Sequence, residues 1–146
     1  MWKRLLPTCV LVAYSALLIK VLVFKDIPTI KVGHLMLRFG GVDGGHPANF
    51  IPFTTIVPYL LGHKGWIIAG INLAGNIVPF VPVGFLAPFV YRKMTWKKSL
   101  ALALVSGLFI EGMEVVFRVG TFDIDDVILN ALGVMIGYGV FKIFAK

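Results

Sequence analysis

Five of the seven acidic residues in this chain fall within sixteen positions: Glu111, Glu114, Asp123, Asp125 and Asp126. Arg118 sits among them and Asn130 follows one helical turn after Asp126. A carboxylate in such a set can act as a general acid or base. Arg118 offers a planar donor fork for an anionic headgroup. Asp123, Asp125 and Asp126 are candidate oxygen ligands for a hard divalent cation. They lack EF-hand spacing, however, and no His or Cys cluster suits zinc.

The elements that must position these groups are strongly apolar. Of 146 residues, 58% are hydrophobic and only 14% charged, and the mean hydropathy is +0.90. Soluble domains carry about 25% charged residues, so the composition predicts an all-α integral membrane protein with one membrane domain over residues 1–146. Four transmembrane helices are expected, over residues 5–24, 65–91, 99–117 and 127–141. The first reads as an uncleaved helix, because no small-x-small cleavage site follows it. The second contains Pro79, Pro82 and Pro88 and should be kinked or broken. The fourth carries Gly133 and Gly137 four apart, a pattern that permits close helix contact.

The connection over residues 25–64 has a turn-rich middle at positions 40–47. After it, residues 49–61 are too apolar for a solvated loop and too broken by Pro52 and Pro58 for a span. A re-entrant or interfacial segment between the first two spans fits them.

Charge sets the orientation. With four spans, one side holds Lys3, Arg4, Arg92, Lys93, Lys97, Lys98, Lys142 and Lys146 without a single carboxylate. Lys and Arg in short loops stay cytoplasmic, which puts both termini inside and the acidic cluster outside. The net charge of +7 suits anionic lipid headgroups. It does not suit nucleic acid, because the basic residues are scattered over loops and termini. Cys9 is the single cysteine, so no internal disulfide forms.

Each polar residue has a structural reading beside its functional one. On a continuous helix Glu111, Glu114 and Arg118 share a face, and Glu114 with Arg118 makes an ordinary ion pair one turn apart. Glu111 lies roughly 9 Å from the end of its span, at about 1.5 Å per residue. At that depth a carboxylate needs a proton, a cation, a wet cavity or an Asn partner. One of the three aspartates caps the last helix, and Asp126 with Asn130 forms an inward pair. Asn72 and Asn76 in the second span, and Asn49 before the broken segment, either bind helices together or line a headgroup pocket. His34, His46 and His63 have no ligand spacing, and of these only His46, beside Asn49, is a candidate. No serine lies in a nucleophile-elbow context.

Four blocks carry a family resemblance: Asn49 to Phe53; Asn76 through Pro88; Glu111 with Glu114; and Arg118, Asp123, Asp125, Asp126, Asn130, Gly133 and Tyr138 in their order and spacing. Over residues 46–138 the chain resembles VanZ-like membrane proteins. Glu114 departs from a pattern that has Gln there. The resemblance implies a small multi-pass protein of the bacterial cytoplasmic (inner) membrane, in a family whose namesake lowers susceptibility to the lipidated glycopeptide teicoplanin.

Three functional classes stand open. One is a non-enzymatic envelope protein that binds membrane lipids or lipid-linked cell-wall precursors. Another is a membrane-embedded enzyme acting on such a headgroup, with a divalent cation as its only candidate cofactor. The third is a partner-binding or assembly helper.

The topology has a direct test. In a Cys9→Ala background, Gly120→Cys should react with a membrane-impermeant thiol reagent on intact spheroplasts, whereas Lys97→Cys should not. Labelling of the Lys97 position alone would invert the orientation.

Overall fold

The computed structural model describes residues 2–23, 30–32, 35–37, 48–63 and 65–145. The turn expected at positions 40–47, with Asp43, His34 and His46, lies outside them. In chain order the elements are α1 (Trp2–Val23), β1 (Ile30–Val32), β2 (Leu35–Leu37), α2 (Ile56–Leu60), α3 (Trp66–Ile77), α4 (Val81–Val90), α5 (Trp96–Val116) and α6 (Ile124–Phe144). A single 3₁₀ turn, Val78–Phe80, joins α3 to α4.

The protein is all-α with four membrane-spanning helices: α1, the broken pair α3–α4 (Trp66–Val90), α5 and α6. Their outer faces are apolar and exposed, as at Val12, Leu17, Val105, Leu108 and Ile136, which suits contact with lipid. The short antiparallel ribbon β1–β2, paired Ile30 with Leu37 and Val32 with Leu35, is an addition not expected from the sequence. α2 has five residues, too few to span, and its exposed Val57 and Leu60 suit an interface.

Prolines explain the broken span. Pro79 has no N–H, so the helical ladder cannot continue through it, and the chain tightens into the 3₁₀ turn. α1 braces this turn: the Tyr14 hydroxyl donates to the Pro79 carbonyl at 2.7 Å. The other ends follow from capping. Thr95 accepts from the Lys98 N–H and starts α5 three residues before the expected position. Asp123 does the same for α6 through the Asp125 N–H. Asp125 and Asp126 therefore lie inside the first turn of α6 rather than before it, at the positive end of its dipole.

α6 is the central helix, packed on α3, α4 and α5, and α1 lies against α4 and α5. Close approach depends on missing side chains. A Cβ at Gly133 would run into the Ile77 carbonyl, one at Gly137 into the Val81 carbonyl, and one at Gly84 into the Val134 carbonyl. Phe80, Val83, Ala103, Ile110, Ala131 and Val134 fill the core between these helices. Gly133→Val should destabilise the protein by about 1–3 kcal/mol through overpacking, read as a lower thermal midpoint and lower membrane abundance. Gly139→Ala, where an added Cβ meets nothing within 4 Å, should match the wild type.

Candidate functional site

The polar residues gather where the end of α5, the start of α6 and residues 49–56 meet. α5 closes with a Schellman arrangement. The Val119 N–H donates to the Glu114 carbonyl at 2.9 Å, and the Arg118 N–H to the Val115 carbonyl at 3.1 Å. Arg118 occupies the left-handed position with φ 57°, where glycine is usual and another residue costs about 1–2 kcal/mol. It is exposed and beyond the helix. The helical face expected to hold Glu111, Glu114 and Arg118 together therefore ends at Glu114, because the chain reverses before Arg118.

Residues 119–123 then meet the segment that follows the long connection. The Asn49 N–H donates to the Phe122 carbonyl at 2.8 Å, and the Ile124 N–H returns to the Asn49 carbonyl at 2.9 Å. The Phe50 and Phe122 rings stack at 5.2 Å. The Asn49 amide donates to Asp123 Oδ1 at 2.8 Å, and the Thr55 hydroxyl donates to Asp123 Oδ2 at 2.8 Å. Asp123 is thus a helix cap and an anchor for a distant segment.

Asp125 does more. Fully buried, its carboxylate accepts from the Phe53 N–H at 2.5 Å, the Thr55 N–H at 2.6 Å and the Ile56 N–H at 3.1 Å. Successive backbone N–H groups curl round the anion, and Phe53 takes φ 71° to complete the curl. The conformation is costly for a non-glycine residue, and three charge-assisted bonds offset it.

Glu111 and Asp126 lie further in. Glu111 is buried and accepts from the Asp123 N–H at 2.9 Å, where the structural reading had given it an Asn. Asp126, Glu114 and Asp123 are its electrostatic neighbours. The Asn76 amide donates to Asp126 Oδ1, a polar clasp between α3 and α6. Asn72 stands apart, exposed and bonded to the Ile68 carbonyl of its own helix. Asn130 is buried one turn below Asp126, and its Oδ1 meets no donor.

Asp123, Asp125 and Asp126 therefore hold three different sets of partners. Among the described residues, no group of three or more His, Cys, Asp or Glu could hold a metal ion. Thr55 and Tyr14 are the polar groups that sequence reasoning missed. The Thr54-Thr55 pair before an apolar run was the available sign for the first, and nothing in the sequence marked the second.

The two kinds of carboxylate should separate on mutation. Asp125→Ala strands the buried Ile56 N–H, at about 1–3 kcal/mol for such a donor, and releases its neighbours, so membrane abundance should fall. Glu111→Gln and Asp126→Asn keep shape and an acceptor oxygen, so abundance should stay near normal while activity is lost. Immunoblotting of membranes beside an activity assay checks both. Equal loss of abundance and activity in the latter pair would assign those residues to folding alone.

Protein VanZ of Enterococcus faecium is 30% identical over 75 residues, 51% of this chain and 47% of that protein. The match thus spans about half the length of that relative. No solved structure matches. The sequence pattern of the VanZ/LLP1 family matches residues 11–145, nearly the whole chain, with most of the first span and all of the other three. With those spans and that match together, the chain belongs to the VanZ/LLP1 family of membrane proteins.

Proposed function

We propose that this chain is a non-enzymatic envelope protein of the bacterial cytoplasmic membrane, with both termini in the cytoplasm. In this reading its extracytoplasmic polar end binds a lipid or lipid-linked headgroup and thereby limits access of lipoglycopeptides such as teicoplanin. The observation that carries the reading is the anchored segment. Phe50, Ile51 and Phe53 are all more than half exposed, although Asp123 binds Asn49 before them and Asp125 binds the backbone of Phe53 and Thr55. An apolar tip fixed beside carboxylates suits the boundary between acyl chains and headgroups. Family membership supports the envelope setting.

A second reading has its own observation. Asp123 and Asp125 spend their oxygens on internal hydrogen bonds, as an assembly helper held together by its polar cluster would require. The enzymatic alternative has less support: the hydroxyl paired with a carboxylate in the cluster, Thr55 with Asp123, belongs to the anchor of residues 49–56.

Susceptibility to two drugs distinguishes these readings. A lipid tail anchors a lipoglycopeptide at the membrane, each buried CH₂ contributing roughly 0.8 kcal/mol. A protein that occupies or reshapes outer headgroups weakens a tailed drug without touching a tail-free one. Over-expression in a Gram-positive host should therefore reduce sensitivity to teicoplanin more than to vancomycin, and Glu111→Gln and Asp126→Asn should remove the difference. Parallel resistance to both drugs would point to a change in their shared peptide target. Full retention of the effect in both variants would favour the assembly reading.

A further inference from the structure

The seam between α3 and α6 collects hydrogen-bond acceptors around one that is left over. α6 presents Asp126, Asn130, Gly133 and Gly137 at spacings of four, three and four, one stripe of a helix. Three members of the stripe touch the broken span: Asp126 accepts from Asn76, Gly133 abuts the Ile77 carbonyl and Gly137 the Val81 carbonyl. Asn130 lies between them and faces the same seam. Helical side chains lean toward the helix N-terminus, which carries its amide toward Asp126. The residue is 2% exposed and its Oδ1 is buried without a donor. A buried, unmatched acceptor is rare enough in proteins to require an explanation.

The backbone beside it is rich in acceptors too. Pro79 cannot donate, so the Gly75 carbonyl loses its usual helical partner. In membrane proteins, carbonyls at the break of a discontinuous helix, with a nearby carboxylate and amide, are a recurrent way of holding a small cation.

We infer that this seam binds a monovalent cation, held by the Asp126 carboxylate, the Asn130 amide oxygen and carbonyls at the end of α3. The charge count selects the valence. Hard divalent ions take six or more oxygens and generally several carboxylates, whereas this seam offers one carboxylate with neutral oxygens. Asn76 donates to the same carboxylate and orients it, as outer partners of ion ligands commonly do. The inference goes beyond the headgroup reading and does not depend on it.

Purified full-length protein tests it in two measurements. Equilibrium binding of ²²Na⁺ and ⁸⁶Rb⁺ should saturate at about one ion per chain for at least one of the two. Replacing N-methylglucamine chloride by the chloride of the bound ion, at constant ionic strength, should raise the thermal midpoint by on the order of 5 °C. Asp126→Asn and Asn130→Ala should each lose the bound ion and the shift. If Asn130→Ala does not fold, wild type and Asp126→Asn decide the matter. Absence of saturable binding by wild type, as a buried water would give, overturns the proposal. So does binding that survives both substitutions.

Discussion

The carboxylate of Asp125, wrapped by the backbone N–H groups of Phe53, Thr55 and Ile56, joins two parts of the chain some seventy positions apart. At the membrane boundary neither part can leave its polar groups unmatched, because unpaired backbone there costs several kcal/mol per group. The turn at Phe53 needs an anion to hold its convergent N–H groups. The buried anion needs those donors just as much. Asp123 closes the same junction with a backbone bridge to Asn49 and side-chain bonds from Asn49 and Thr55, and Glu111 secures it from α5. The start of α6 thus organises three elements at once.

Everything below that junction follows from how closely α6 can approach the broken span. Glycines at 84, 133 and 137 bring backbone against backbone, the mode of packing available where lipid is as apolar as any side chain and burial supplies no drive. The prolines that interrupt the span serve the same contact. They remove donors from the helical ladder, and the Tyr14 hydroxyl of α1 bonds the Pro79 carbonyl at the turn. Close packing and an interrupted helix together set a buried amide and a carboxylate on the face of α6 that packs against the broken span.

The polar cluster consequently has two layers with different duties. Asp123 and Asp125 are bound into the architecture on nearly every side, so their chemistry is spent on holding residues 49–56. Glu111, Asp126 and Asn130 lie deeper, where charge without compensation is most costly. Arg118 remains exposed past the end of α5, and Phe50, Ile51 and Phe53 form an exposed apolar tip. A functional reading has to draw on the second layer and on that rim.

Much of this was legible in the chain itself. Long apolar runs determined four spans, because only a helix satisfies its own backbone within lipid. Pro79 and Pro82 determined the break, since neither can donate, while α4 runs on through Pro88. The confinement of five carboxylates to sixteen positions marked the end of the bundle where the polar groups meet. What the sequence could not determine was which partner each carboxylate takes. Spacing placed Arg118 on the face of Glu114, but the Schellman turn carried it away, because a helix end depends on what the following residues bond to. Asn72 and Asn76 look alike at four residues apart, yet one bonds its own helix and the other clasps Asp126. Asp125 looked like one of three equivalent ligands until the N–H groups of Phe53, Thr55 and Ile56 closed on it. Hydrogen bonding over such separations is decided by packing, since the donors come within reach only after α6 has settled against its neighbours.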